Sequence, residues 1–251
     1  MGGTPGIGKA VSAKAGPSGQ RVFRLPLLAR LLSLFSVALL GGVSVGMFGF
    51  VALILAADQW PVAIVIALCT AVILVLTRYS ARDLQGKWGL RVVLGRDAAE
   101  FFLPKNRSLI HAMPKQHVIV PYSDIAAIET RLEAYPSFGM LNMQKPYVLH
   151  RHDNSDIFLF EERAIGSNLQ SSFFGGLVDE IAKRAGVQVR DLGMIEGRGG
   201  VLGVLHTHAA DWAAPALPVA RQKRLLRRAA HTAALAFLLL NLIYILRVFF
   251  G

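Results

Sequence analysis

The chain has 251 residues, a hydrophobic fraction of 53% and a formal net charge of +11. Its hydrophobic residues are concentrated in blocks, which is typical of a membrane protein and excludes an ordinary soluble protein. The basic excess lies near the chain ends, because residues 88–220 hold 13 Lys/Arg against 14 Asp/Glu. The middle of the chain therefore lacks the basic face of a nucleic-acid-binding domain, and no nucleic-acid partner is expected.

Residues 1–26 form a basic Gly/Pro/Ser tail, and the composition predicts disorder. Gly3, Gly8 and Lys9 match the first part of a phosphate-binding loop. Ala10 stands where such a loop needs Ser or Thr for magnesium, and there is no room for the strand that must precede the loop. No nucleotide site is expected here.

Residues 27–78 are predicted to form a transmembrane helical hairpin. Leu31–Ala57 and Trp60–Thr77 contain no charged residue, and about 20 apolar residues are enough to cross the hydrocarbon core. The first run is longer than the apolar core of a cleavable signal peptide, so removal is not expected. Basic residues flank the hairpin on the side away from Asp58, which predicts a multi-pass membrane protein with its N-terminus and middle domain in the cytoplasm.

Small residues recur every four positions in both spans, and this spacing lets two helices approach closely. They are Ala38, Gly42 and Gly46 in the first span and Ala63, Ala67 and Ala71 in the second. Two uses remain open: packing of the hairpin on itself, or formation of a homo-oligomer through the first span. The single cysteine, Cys69, lies in the second span and is expected to pack as a small apolar group.

Residues 88–190 are predicted to form a mainly-β domain. Short β-like runs are separated by turn residues and suggest an antiparallel sandwich or barrel. The predicted strands are Arg91–Leu94, Glu100–Leu103, Ser108–Ala112, His117–Val120, Ile125–Leu132, Tyr147–His150 and Ile157–Glu161. Apolar residues at helical spacing from Phe174 to Ala182 then predict one amphipathic helix, with Gly186 as its C-cap.

Three segments of this domain carry a resemblance: Pro121–Glu129 (PYSDIAAIE), Ile157–Phe160 (IFLF) and Leu177–Val187 (LVDEIAKRAGV). Together they resemble the pleckstrin-homology-like (PH-like) domains of bacterial membrane proteins, over about residues 88–190. The resemblance implies a seven-strand barrel closed by an amphipathic helix. It also implies a bacterial inner-membrane location and a binding or scaffolding module, with no general catalytic residues to transfer.

Residues 191–217 are predicted to be a Gly/Ala/Pro linker, and residues 218–250 a basic helix that continues into a third transmembrane span. Its cations are expected at the anionic membrane surface: Arg221, Lys223, Arg224, Arg227 and Arg228. Asn241 lies within the third span, where an amide favours helix pairing.

Two histidine pairs, His150/His152 and His206/His208, have the spacing of residues on one strand face. A metal site needs three or four converging ligands, so neither metal, cofactor nor catalytic residue is predicted. The expected function is a noncatalytic, membrane-anchored scaffold that presents a PH-like domain to a protein partner or a lipid surface. The alternative is a membrane-associated enzyme or metal-dependent factor using the His150/His152 face. A small transporter is a third option, but three spans would have to oligomerise to enclose a path.

Overall fold

The computed structural model describes residues 14–15, 20–108, 110, 113–137, 140–165, 173–197 and 211–250. The chain divides into two compact units, residues 1–124 and 125–251. The boundary between the two units lies inside the predicted domain 88–190.

Two helices of 30 residues each dominate the first unit: α1 (Leu27–Ala56) and α2 (Trp60–Gly89). Both are long and apolar enough to cross a membrane. Pro26 precedes α1, and Pro61 lies in the first turn of α2, where the missing N–H costs no helical hydrogen bond. Asp58 adopts a left-handed conformation (φ 55°) at the tip between them.

Helix α2 ends at Gly89, eleven residues beyond the predicted end at Arg78. The predicted end followed the loss of hydrophobicity, but a change of polarity does not by itself stop a helix. The segment that follows Arg78 contains no proline and several good helix formers, among them Ala81, Leu84 and Gln85. The helix therefore continues past its apolar run.

A five-stranded antiparallel sheet completes the first unit, in the order β1-β2-β3-β4-β5. Its strands are β1 (Lys14–Ala15), β2 (Arg21–Arg24), β3 (Arg91–Leu94), β4 (Ala98–Leu103) and β5 (Gln116–Pro121). Strand β2 directly precedes α1, strand β3 directly follows α2, and the two pair with each other. The prediction of disorder for residues 1–26 is therefore wrong for Lys14–Ala15 and Arg21–Arg24; residues 1–13 and 16–19 lie outside the described residues.

The predicted strands β3, β4 and β5 are confirmed, and a cross-strand stack joins them. The guanidinium of Arg91 lies 3.6 Å from the ring centroid of Phe102, and this ring stacks on His117 at 4.3 Å. The predicted strand Ser108–Ala112 is not found: Ser108 and Ile110 lie outside any strand, and residues 109, 111 and 112 lie outside the described residues. A short 3₁₀ turn, Tyr122–Asp124, ends the unit.

The second unit contains a four-stranded sheet in the order β8-β7-β6-β9. Its strands are β6 (Ile125–Ser137), β7 (Met140–Arg151), β8 (Asp156–Ile165) and β9 (Val189–Glu196), with helix α3 (Phe173–Ala185) between β8 and β9. Strands β6, β7 and β8 are antiparallel neighbours, whereas β9 runs parallel to β6. The predicted strands of this unit are therefore antiparallel neighbours, whereas β9, a strand that the sequence did not predict, is parallel because α3 carries the chain across to the far edge of the sheet.

Strand β9 reaches Glu196, so the linker predicted for residues 191–217 cannot begin at 191. Its residues 198–210, which include His206 and His208, lie outside the described residues. Within the described part, Leu217 N–H donates to the Met194 carbonyl oxygen at 2.7 Å. The returning chain thus pairs with strand β9 over this contact.

Helix α3 packs on β6, β8 and β9 and forms the core of this unit with them. The ring of Phe174 stacks on Phe160 with centroids 4.2 Å apart, and Leu177 and Ile181 are fully buried. Gly186 has φ 70°, and Val187 N–H donates to the Ala182 carbonyl oxygen. This left-handed ending confirms Gly186 as the C-cap.

Helix α4 (Val219–Phe250) has 32 residues and follows Pro218. Its first turns join the second unit, where Arg221 pairs with Glu196 at 3.0 Å and Leu225 is buried. Most side chains from residue 233 onward lie outside the described residues. The third membrane span therefore stays a prediction.

Candidate functional site

A polar network lies where three neighbouring strands of the second unit meet. His150 on β7 is paired in register with Asp156 on β8, and its Nδ1 lies 2.6 Å from Asp156 Oδ1. Its Nε2 lies 3.0 Å from Glu129 Oε2 on β6. The imidazole is thus held between two carboxylates by the register of the sheet.

Trp212, from the segment that precedes α4, extends this network. Its Nε1–H donates to Glu129 Oε2 at 3.1 Å, and the guanidinium of Arg131 lies 4.6 Å from its ring centroid. Arg190 on β9 approaches the other oxygen of Glu129 at 3.9 Å. Glu129 therefore connects β6, β7, β9 and the 211–214 segment.

Arg131 fixes the same segment through main-chain contacts. Its Nη1 donates to the Asp211 carbonyl oxygen at 2.7 Å and its Nη2 to the Ala214 carbonyl oxygen at 3.4 Å. Burial lowers the pKa of Arg131, while the charges of Glu133, Glu129 and Asp211 act in the opposite direction. The side chain is buried, and two of its charged donors are used to position the chain around Trp212.

The turn between β7 and β8 lies next to the network. Asp153 Oδ1 accepts hydrogen bonds from the backbone N–H of Ser155 at 2.9 Å and from its hydroxyl at 2.6 Å. Arg151 pairs with the other carboxylate oxygen at 3.0 Å. The hydrogen bonds from Ser155 are the main cause of the lowered pKa of Asp153.

The geometry separates the predicted histidine pair. His152 lies in the turn after β7 ends at Arg151, so the prediction that both histidines share one strand face is wrong. The carboxylates of Asp156 and Glu129 contact opposite ring nitrogens of His150, so the imidazole ring separates them. Within the described residues, no group of three or more His, Cys, Asp or Glu side chains is placed to hold a metal ion.

The small residues of the spans take different positions. Ala63 is buried, whereas Ala38, Gly42, Gly46, Ala67 and Ala71 are exposed. A Cβ added at Gly42 or Gly46 would meet no atom within 4 Å. Of these six residues, only Ala63 is buried, so packing of the hairpin on itself stays a prediction for the other five. Pairing with a second copy stays a prediction.

The predicted membrane-surface cations are on the first turns of α4. Lys223, Arg224, Arg227 and Arg228 are exposed, and Arg221 binds Glu196. Asn241 is exposed further along the same helix. The four exposed cations stay available for a membrane surface.

A second polar cluster, between α1 and α2, was missed by the sequence analysis. Ser33 donates to Asp83 Oδ2 at 3.0 Å, Lys87 Nζ donates to Ser33 Oγ at 2.9 Å, and Lys87 pairs with Asp83 at 2.7 Å. The i, i+4 spacing of Asp83 and Lys87 was a readable signal. It was overlooked because α2 was expected to end at Arg78.

Comparison of the chain with family models, with curated proteins and with solved structures finds no match.

Proposed function

We propose that this protein is a noncatalytic, membrane-anchored binding module. In this proposal α1 and α2 cross the bilayer, the apolar part of α4 adds a third span, and the β-rich regions face the cytoplasm. The charge distribution supports this orientation, because cations flank the predicted spans on one side and Asp58 marks the opposite tip.

The pairing of β2 with β3 carries the proposal. Only residues 25–26 separate β2 from α1, and only Leu90 separates α2 from β3. Arg24 pairs with Arg91, and Phe23 pairs with Val92, directly beyond the two helices. A flexible tether would let a domain diffuse away from the membrane, whereas this pairing holds the five-stranded sheet at the base of the hairpin.

In this proposal the chain presents a PH-like domain to a protein partner, and the partner binds near Trp212 and the β7–β8 turn. Tryptophan and arginine are enriched at the energetic centres of protein interfaces. Trp212 is half-buried and is positioned by Arg131 and Glu129, so its ring is held in place before a partner arrives. Pre-organisation of this kind lowers the cost of binding.

The orientation is tested with single cysteines in the full-length protein. Cys69→Ser removes the native thiol, and His152→Cys then places one thiol in the exposed β7–β8 turn. We expect a membrane-impermeant maleimide to label this thiol in inverted inner-membrane vesicles and not in intact spheroplasts. Labelling only in spheroplasts would contradict the proposed orientation.

The binding role is tested by photo-crosslinking in membranes. A photoreactive residue at His152 is expected to give a discrete crosslinked product, and one at the exposed Lys115 is the control position for nonspecific products. Identical products at both positions would contradict a specific face. Turnover of a lipid or nucleotide substrate by the purified full-length protein would refute the noncatalytic proposal.

A further inference from the structure

A polar cavity of about 320 Å³ opens between the first turns of α1 and the last turns of α2, at the end of the hairpin away from its tip. Its polar wall consists of Ser33, Ser36, Tyr79, Ser80, Asp83 and Lys87, and Ala29 and Leu32 supply apolar contacts. The volume lies at the lower end of the range for small-molecule sites. A cavity lined by four hydroxyl groups and one ion pair is unusual beside helices as apolar as these.

Helix geometry places this cavity at a defined depth. At 1.5 Å per residue, about 20 residues counted back from the hairpin tip fill a hydrocarbon core of roughly 30 Å. Ser36 and Tyr79 then lie at the boundary of that core, and Asp83 lies about 6 Å beyond it. Lys87 Nζ contacts Asp83 and therefore lies at the same level. This is the depth of lipid headgroups, since the headgroup layers add about 10 to 15 Å to the core.

The chemistry of the wall favours one kind of headgroup. A lysine ammonium has three donors; Ser33 and Asp83 take two of them, which leaves one for a phosphate oxygen. Serine and tyrosine hydroxyls both donate and accept, as do the hydroxyls of a glycerol. An ethanolamine headgroup would compete with Lys87 for Asp83, and a choline headgroup has no N–H or O–H to donate.

We propose that this cavity binds the phosphoglycerol headgroup of an anionic phospholipid. Lys87 contacts the phosphate, and Asp83 with the serine hydroxyls contacts the glycerol hydroxyls. Arg30, Arg78 and Arg82 lie on the same helix ends and raise the local concentration of anionic lipid. The inference rests on the hairpin crossing the bilayer and is independent of any protein partner.

The test uses the full-length protein in nanodiscs of phosphatidylcholine, titrated with tail-labelled phosphatidylglycerol, phosphatidylethanolamine or phosphatidylcholine. We expect phosphatidylglycerol to bind at least about tenfold more tightly than the other two. Lys87→Gln should weaken the binding of phosphatidylglycerol about fivefold or more. Arg78→Gln removes an equal charge outside the cavity and should weaken this binding less than about twofold. Soluble glycerol 3-phosphate is expected not to compete.

A second variant separates loss of the site from loss of the fold. Ser80→Leu fills the cavity without removing a charge, and it should also abolish the preference while helical circular dichroism stays unchanged. Equal losses in Lys87→Gln and Arg78→Gln would overturn the site in favour of general surface charge. Competition by glycerol 3-phosphate would show that the cavity binds a soluble phosphate ester, and it would overturn the assignment of a lipid as the ligand. A chain that is extracted from membranes by alkaline carbonate would instead refute the membrane anchor, and the lipid site with it.

Discussion

The α1–α2 hairpin and the four-stranded sheet of residues 125–251 differ in where their large apolar side chains lie. In the hairpin, Ser33, Ser44 and Thr70 are buried while large apolar residues face outward. In the sheet, leucine, isoleucine and phenylalanine form the interior. Outward-facing apolar side chains are the pattern expected of helices surrounded by lipid, and both helices are long and apolar enough to cross a membrane.

The buried polar groups also differ between the two regions. In the hairpin, Ser44 and Thr70 donate to main-chain carbonyl oxygens one turn earlier in their own helices, and the buried residues of both helices are small. In the sheet, Arg131 is buried and donates to main-chain oxygens of the 211–214 segment. A buried guanidinium requires several fixed partners, so this polar interior specifies one arrangement of the chain.

The largest expected effect comes from truncating one leucine in each region. Leu159 is 0% exposed in β8, and Leu53 is 69% exposed in α1. Leu159→Ala should lower the free energy of unfolding by about 2–5 kcal/mol through lost burial and a cavity. Leu53→Ala should change it by less than about 0.5 kcal/mol. Denaturation of the detergent-solubilised protein, followed by tryptophan fluorescence, measures both; equal losses would break the contrast.

A pair of glycines tests the hairpin itself. A Cβ at Gly86 would collide with the carbonyl oxygen of Asn106, whereas one at Gly42 meets no atom within 4 Å. Gly86→Ala should destabilise the protein by about 1–3 kcal/mol because the loop must move. Gly42→Ala should be neutral or stabilise by up to about 1 kcal/mol through helix propensity. Thermal unfolding followed by circular dichroism compares them, and destabilisation by Gly42→Ala would reveal a contact with another copy.

The smallest expected effect is a change in the pKa of Asp153 in the β7–β8 turn, compared with the tip of the α1–α2 hairpin. Asp153 holds the β7–β8 turn through its carboxylate, and its folded-state pKa lies below the ordinary 3.8. Its contribution to stability is therefore present above pH 3.8 and is lost as the pH falls through the lower folded value. Ser155→Ala should raise this pKa, as measured by carboxyl NMR titration. An unchanged pKa of Asp153 in this variant would contradict the role of Ser155. The α1–α2 tip is closed by backbone hydrogen bonds, such as the one from Gln59 N–H to the Ile54 carbonyl oxygen, so Ser155→Ala should not affect that tip.

The sequence predicts the parts of the fold that local patterns determine. The uncharged runs give the two long helices, the alternation of residues gives β3 to β5, and Gly186 marks the end of α3. The α3–β9 crossover is harder to predict, because Val189–Glu196 contains Arg190 and Asp191 and does not resemble a buried parallel strand. Strand β2 is equally hidden, since four residues in a basic tail become a strand only through pairing with distant β3.

The candidate site is only partly readable from sequence. His150 was singled out, but its partner Glu129 is 21 positions away, and Trp212, which donates to Glu129, is 83 positions away from that residue. Such contacts depend on strand register and on the return of the chain, and no local pattern encodes either. For the same reason, Ser33 was not connected with Asp83 and Lys87, which lie 50 and 54 residues away.

The pairing of β2 with β3 also sets an order of assembly. Strand β2 leaves the ribosome first, but its partner emerges only after both 30-residue helices have been made. Contacts this distant in sequence form late, because the intervening chain must be ordered first. If the helices enter the bilayer as they are synthesised, the five-stranded sheet can close only around a completed hairpin. A chain with a misplaced helix would keep β2 and β3 on opposite sides of the membrane, with unpaired strand edges exposed to quality control.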